Sequence, residues 1–354
     1  MFNKKHNEIL AHELANRSLG QVIVETGFLV LIAVTAFVGN SCVIYVFYKT
    51  PSIRKVANYY LIALAISDVT MSLLEMPLTI AVAVTGKDVL GRNIGQVFSI
   101  LGMVLIYGSF LTTVLIAVNR FFCVVKQKFY KKYFNPKPAI VMIALAWIIS
   151  LGCVVVPFLD GTVVFEFYPG RLLYYPSFTN HTIEIVVTVF TSTRFLFFPA
   201  LVAFCYWKIY ETVKGHNANV STTLNAGPHG RAKTSKEEIN VTMSVLPLAC
   251  GCILCYFVNS TLIHVNIYIN LPRLVDMFML YTLFLNSAIN PFIFNVFSKP
   301  FRKEFLKLIF GYGSVRVAVV SKLVDSSPGI GKNLPAQNLS SPGINHIGLF
   351  SEHA

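Results

Sequence analysis

Four ionisable side chains, Asp68, Glu75, Arg120 and Arg194, stand inside stretches that are otherwise long and apolar. In a hydrocarbon setting each costs at least roughly 2.5–3.5 kcal/mol, so each demands a partner, a water-filled cavity or a function. A carboxylate buried there needs a cation, or hydroxyl and amide donors. Arg194 suits an anionic or lipid-acid ligand, and pairing with Glu75 or Glu184 is the competing reading. Cys250, Cys252 and Cys255 invite the idea of a metal site. On a helix, however, Cys252 and Cys255 share a face that Cys250 does not, so thiols filling helix contacts account for the cluster better than a metal does.

The elements that position these groups follow from composition. Of 354 residues, 55% are hydrophobic and 13% charged, about half the charged share of a soluble domain. Disorder is excluded by the same figures. The seven cysteines all fall in apolar stretches, so the chain is no disulfide-stapled secreted module. Runs of roughly 20 mostly apolar residues mark membrane helices. Thr26 to Tyr48, Ala139 to Leu159, Ile239 to Pro272 and Met277 to Ser298 carry no formal charge; Val56 to Thr85, Ile94 to Val125 and Ile185 to Trp207 carry the interruptions. The reading is an integral membrane protein with seven spans.

Lys and Arg set the orientation. Lys126, Lys128, Lys131, Lys132 and Lys137 crowd one inter-span segment, and Lys299, Arg302, Lys303 and Lys307 follow the last span; the alternate segments hold Lys4, Lys5, Arg17, Lys87, Arg92, Arg171 and Arg273, fewer in all than the 17 on the other side. The N-terminus is therefore expected outside and the C-terminus in the cytoplasm. The net charge of +13 then reflects basic loops facing anionic lipid, with no nucleic acid as partner. Residues 1–21 read as a polar outer N-terminus without a visible signal peptide, 22–298 as the seven-span body, and 299–310 as an amphipathic helix lying on the membrane, with Phe301, Phe305 and Leu308 on one stripe. Residues 311–354 read as a disordered cytoplasmic tail. Asn16 and Asn180 head Asn-X-Ser/Thr triplets on the outer side and are candidate glycan sites. In the tail, Ser326-Ser327-Pro328-Gly329-Ile330 recurs as Ser340-Ser341-Pro342-Gly343-Ile344, either a phosphorylation target or an accident of composition.

Gly39-Asn40 in the first span, Leu64-Ala65-Ile66-Ser67-Asp68 in the second, Asn119-Arg120-Phe121 ending the third, Trp147 in the fourth and Asn290-Pro291-Phe292-Ile293-Phe294 in the seventh appear in order. With this spacing, from about Gly27 to Phe310, the chain resembles the rhodopsin-like G-protein-coupled receptors. That resemblance implies an all-α seven-transmembrane helix bundle, catalysing nothing, that converts binding of an extracellular ligand into activation of a heterotrimeric G protein at the plasma membrane, with arrestin, a receptor kinase and membrane lipid as further partners. It implies a coupling switch at Asn119, Arg120, Phe121, Tyr256, Asn290, Pro291 and Phe294. It also implies a sodium ion on Asp68, Ser109, Asn286, Ser287 and Asn290, against the alternative of a neutral Asp68 bonded to Asn40 and Asn290. Glu75, Gly102, Arg194 and His264 are candidates for the ligand pocket.

Several positions depart from the family pattern. The usual third-helix cysteine is replaced by Gly95, and Phe158 to Glu184 holds no cysteine, so the outer loop must be looser or held by other contacts. Neutral Asn119 stands where an acid normally restrains the arginine, which points to raised basal activity. Cys255-Tyr256-Phe257-Val258 replaces Cys-Trp-X-Pro, and Phe294 lacks the family's tyrosine hydroxyl. Gly102 occupies the position of the aspartate of amine receptors, which argues against an amine ligand; Phe284 stands where opsins carry lysine, which argues against retinal as cofactor. A few features resemble melatonin receptors, although Pro291 speaks against close kinship. A non-coupling decoy receptor and a transporter are the rival readings.

Overall fold

Apolar runs of membrane length fold as helices because lipid offers nothing to satisfy free backbone N–H and C=O groups. The computed structural model describes residues 4–222, 236–297 and 299–310. Helices α1 (Lys4–Ala15), α2 (Leu19–Lys49), α3 (Val56–Thr85), α4 (Gly91–Val125), α5 (Gln127–Tyr133) and α6 (Pro136–Leu159) come first. A two-stranded antiparallel hairpin, β1 (Val163–Tyr168) and β2 (Leu173–Phe178), interrupts the series. Helices α7 (His181–Thr222), α8 (Lys236–Tyr268), α9 (Arg273–Phe297) and α10 (Lys299–Phe310) complete it.

Among the described residues α2, α3, α4, α6, α8 and α9 are long and apolar enough to cross a membrane. With α7, which runs for 42 residues, they make a seven-transmembrane bundle. Helix α4 sits at its centre, packed against α3, α6, α7 and α8, while α2 lies between α3 and α9. Close helix approach in a membrane depends on small residues. A Cβ on Gly39 would stand 2.7 Å from the Pro291 ring, and one on Gly108 would stand 2.9 Å from the Trp147 indole. Three of the sequence markers thus sit in bundle contacts, Gly39 against Pro291 and Trp147 against Gly108.

Three features add to the sequence reading. The segment before the first span is not featureless: α1 buries Leu10 and Leu14, and α2 already begins at Leu19. There Ser18 and Gln21 form a capping box that satisfies first-turn donors. The loop after α6 is a paired hairpin, Val163 opposite Phe178 through Tyr168 opposite Leu173. Finally, α10 docks on the end of α9, where Phe294, Phe301 and Phe305 form a chain of ring contacts. The Leu308 side chain, all of 311–354 with its serine repeat, and residues 223–235 lie outside the described residues.

Candidate functional site

A belt of polar groups crosses the middle of the bundle. Asp68 on α3, 2% exposed, accepts a 2.6 Å hydrogen bond from the Asn290 amide on α9, and Ser287 also bonds it. The Ser67 and Ser109 hydroxyls meet at 2.6 Å across α3 and α4. Asn40 does not join Asp68, as one reading of the sequence had it. Its amide donates instead to the Ala36 and Ser287 carbonyls at 2.9 and 3.0 Å, stitching α2 to α9 and leaving its own Oδ1 buried with no hydrogen-bond partner among the described residues. Cys252 reaches Thr113 at 3.6 Å and is bonded by Asn286, so this thiol is taken up by the belt. No group of three or more His, Cys, Asp or Glu side chains fit to hold a metal occurs among the described residues.

At one end of the bundle Arg120 is only 5% exposed and Asn119 1%. They lie in the last two turns of α4, beside an apolar seam in which Val114, Ala117 and Val124 meet Tyr206, Ile209 and Ala249, with Phe121 packed against it. The Arg120 charge acts on the Tyr206 phenol. Further into the bundle Tyr256 donates to the Ile106 carbonyl at 3.1 Å and meets Phe110 edge-on at 5.0 Å, tying α8 to α4. Phe294 lies in the apolar cluster of Val43, Val46, Tyr60 and Leu64, a place where a hydroxyl would need a partner of its own.

The opposite end is closed by charge pairs and the hairpin. Arg171, in the β1–β2 turn, and Asp276, in the first turn of α9, are 3% and 0% exposed and pair at 2.8 Å. Tyr168 donates to Asp276 at 3.1 Å and accepts from the Asn266 amide at 3.0 Å. Burial and the Asp276 charge push the Tyr168 hydroxyl up to about 12, so it stays a neutral donor. Arg171 also sits 4.5 Å from the centre of the Tyr175 ring. The turn is crowded: a Cβ on Gly170 would collide with Asp276, and Leu172 takes a left-handed φ of 57°, a strain offset by its fully buried side chain. Glu25 gathers a second cluster. It takes Arg17 at 2.6 Å and both Arg273 amino groups at 2.7 and 2.6 Å, while Arg17 reaches the Ala83 carbonyl at 2.5 Å. One carboxylate on α2 thereby joins the α1–α2 link, α3 and α9.

The description "7 transmembrane receptor (rhodopsin family)" matches residues 39–294, the span that carries both the belt and Arg120. This chain belongs to the rhodopsin family of seven-transmembrane receptors. It acts as a G-protein-coupled receptor. It is 26% identical to the high-affinity lysophosphatidic acid receptor of Xenopus laevis, over 79% of this chain and 80% of that protein. It is 25% identical to octopamine receptor beta-2R of Chilo suppressalis, over 79% and 78%. The crystal structure of squid rhodopsin has the same fold, with a TM-score of 0.69 at 20% identity, covering 88% of this chain and 92% of that one.

For a receptor of this family the geometry answers what holds the hairpin without the usual disulfide. The Tyr174 ring packs on Gly95, where any Cβ would collide with it. Ser99 bonds the Tyr174 carbonyl, and Gln96 donates to the Phe165 carbonyl at 3.0 Å. The hairpin is stapled to α4 by aromatic packing and backbone contacts, and to α9 by Arg171 and Asp276. Those two, with Tyr168 and Tyr174, were missed by the sequence reading; the alternating aromatic run around Pro169-Gly170 was the available signal for the hairpin. Among the pocket candidates, Glu75 and Gly102 are in contact, a Cβ on Gly102 falling 2.9 Å from Glu75 Oε1. His264 approaches the Ser260 carbonyl of its own helix at 2.6 Å. The Arg194 side chain lies outside the described residues. Asn16 and Asn180 are exposed; Asn16 bonds the His12 carbonyl and Asn180 accepts from Thr182 at the start of α7.

Proposed function

We propose that the hairpin end of this receptor faces the outside of the plasma membrane and the Arg120 end the cytoplasm. A ligand entering at the hairpin end shifts a pre-existing equilibrium between bundle arrangements. In the favoured arrangement Arg120, with Asn119 and Phe121, meets the heterotrimeric G protein, and the α8–α4 tie through Tyr256 is the restraint that loosens. The burial of Arg120 carries this reading. An arginine serving only as a membrane anchor would extend its guanidinium to the lipid phosphates, whereas this one is held inside the seam between α4 and α7. Asn290, Pro291 and Phe294 belong to the same switch through their contacts with Asp68, Gly39 and α10. The relatives include one named for lysophosphatidic acid and one for octopamine, so kinship leaves the ligand open.

Asp68 with Ser109, Asn286, Ser287 and Asn290 would offer an oxygen-rich set suited to a hard monovalent cation such as sodium. Bound there, sodium would supply a positive charge to the Asp68 carboxylate and favour the arrangement in which α3 and α9 are drawn together. Arrestin and a receptor kinase would act at the cytoplasmic face, beside membrane lipid; Asn16 and Asn180 would carry glycan on the other. The test is ligand-free second-messenger output, cyclic AMP and inositol phosphates, from wild type and Arg120→Ala at matched surface levels. Basal output that falls to the untransfected level in the variant supports the reading. Equal output from the two proteins would refute it.

A further inference from the structure

The three cysteines of α8 are not equivalent. Cys250 is exposed and Cys255 half-buried, whereas Cys252 is buried. It shares one stripe of the helix with Tyr256 and Asn259, at i, i+4 and i+7, and both of those are buried too. Each of the three bonds to another helix. Cys252 reaches Thr113 on α4 at 3.6 Å, Tyr256 the Ile106 carbonyl on α4, and Asn259 the Thr282 hydroxyl on α9 at 2.9 Å. Val258, where the family has proline, keeps the backbone N–H that a proline would remove, so the three rungs share one unbroken stretch of helix.

Cys252 is the rung that binds α8 to two helices at once. Its thiol donates to Thr113 Oγ1, whose own proton goes to the Ser109 carbonyl at 3.0 Å. The Asn286 amide meets the sulfur from α9. Ser109 in turn touches Ser67, the neighbour of Asp68, and Asn286 adjoins Ser287, which bonds Asp68. The thiol therefore stands close to the Asp68 belt along two routes. Ala249, three residues earlier on α8, packs with Tyr206 and Ile209 in the seam beside Arg120. The rung lies between the belt and that seam. Inside a bilayer no water replaces a lost polar partner, and helices there are held by close packing and cross-helix bonds rather than by hydrophobic burial. A thiol that only filled a gap would need neither bond.

We propose that Cys252 is a positioning residue for coupling: the bridge from Thr113 through Cys252 to Asn286 holds α8 against α4 and α9 in the resting arrangement and must open before α8 can move. The proposal rests on the receptor reading above. Its first measurement is basal nucleotide exchange on added G protein by purified full-length receptor. Cys252→Val nearly keeps the volume and removes the bridge, and should raise the basal rate about three- to fivefold, the scale of a cross-helix polar bond. Thr113→Val should raise it as well. The double variant should match Cys252→Val alone, because both changes remove one bond. Cys252→Ser keeps a donor and an acceptor, and should stay within about 1.5-fold of wild type.

A second readout needs no G protein. N-Ethylmaleimide labelling, followed at each cysteine by peptide mass spectrometry, should be slow at Cys252 in wild type and at least about threefold faster in Thr113→Val. The rate at Cys123, also buried but on α4, should not change. If Cys252→Val does not elute as a monodisperse protein, Thr113→Val carries both measurements, with Thr113→Ser as the variant that keeps the hydroxyl. Four results would overturn the proposal: no rise in basal exchange in either valine variant, a Cys252→Ser protein as fast as Cys252→Val, a double variant whose effect is the product of the two singles, or Cys252 labelling that Thr113→Val leaves unchanged. If wild type and Arg120→Ala show the same exchange, the coupling reading falls, and the labelling alone decides whether the bridge positions α8.

Discussion

The two ends of this receptor are held by different chemistry. At the hairpin end, opposite charges are buried against each other: Arg171 with Asp276, and Glu25 between Arg17 and Arg273. At the other end Arg120 is buried beside Asn119, an amide whose nitrogen and oxygen both lack hydrogen-bond partners among the described residues. A buried ion pair fixes one geometry, because breaking it strands a desolvated charge. An amide in the place of an acid fixes much less. The contrast gives the molecule a roof tied by buried charge pairs at the hairpin end; on the function proposed above, it is the Arg120 end that rearranges to meet the G protein.

The largest effect should come from breaking the roof. Arg171→Met leaves the Asp276 charge without its cation in a site with no exposure, the Tyr168 hydroxyl still donating to it, a loss of about 3–5 kcal/mol by the usual cost of an orphaned buried charge. The melting temperature should fall by several degrees, and amide hydrogen exchange should accelerate across Val163–Phe178 before it does in α4. Arg171→Met combined with Asp276→Leu should recover most of that loss, since apolar replacements of both partners remove the stranded charge. A double variant as unstable as the single one would show that the hairpin is held by Tyr174 on Gly95 and that the charge pair is incidental.

How much of this was legible in the sequence follows from the range of the interactions. The spans could be read because run length and apolarity are local properties, and α10 because its aromatic stripe repeats within one helix. The ionisable residues inside the spans were individually visible for the same reason. Their partners were not: Arg171 and Asp276 are 105 residues apart, Asp68 and Asn290 are 222 apart, and nothing in the local pattern pairs them. Glu75 and Gly102 show the limit most clearly. Each is readable, one as a costly acid and the other as an absent one, but only the packing of α3 on α4 puts the carboxylate where the α4 side chain is missing.

A smaller effect should sharpen the contrast from the coupling end. Asn119→Asp restores an acid beside Arg120, in a seam already buried. An added ion pair there, partly offset by desolvation, would be worth about 1 kcal/mol, or roughly fivefold in a two-state equilibrium. Basal nucleotide exchange on added G protein should fall by about that factor, with ligand-driven exchange still reaching its full extent. An unchanged basal rate would mean that Asn119 is not what leaves this end loose.

The smallest effect concerns the tie between the two regions. Tyr256→Phe removes the hydroxyl that donates to the Ile106 carbonyl at 3.1 Å and keeps the ring against Phe110. A neutral hydrogen bond of this kind contributes about 0.5–1.5 kcal/mol. The Ile106 carbonyl belongs to the middle of a helix, so it keeps its backbone partner and little is stranded by the change. If the bond restrains α8 in the resting arrangement, its loss should raise basal exchange by about two- to tenfold and move the melting temperature far less than Arg171→Met does. Combined with Asn119→Asp, the two changes should cancel to within about twofold, because they act in opposite directions on one equilibrium. A Tyr256→Phe protein with normal basal exchange but lowered stability would instead make this residue part of the bundle's packing, and the coupling end would then owe its looseness to Asn119 and Arg120 alone.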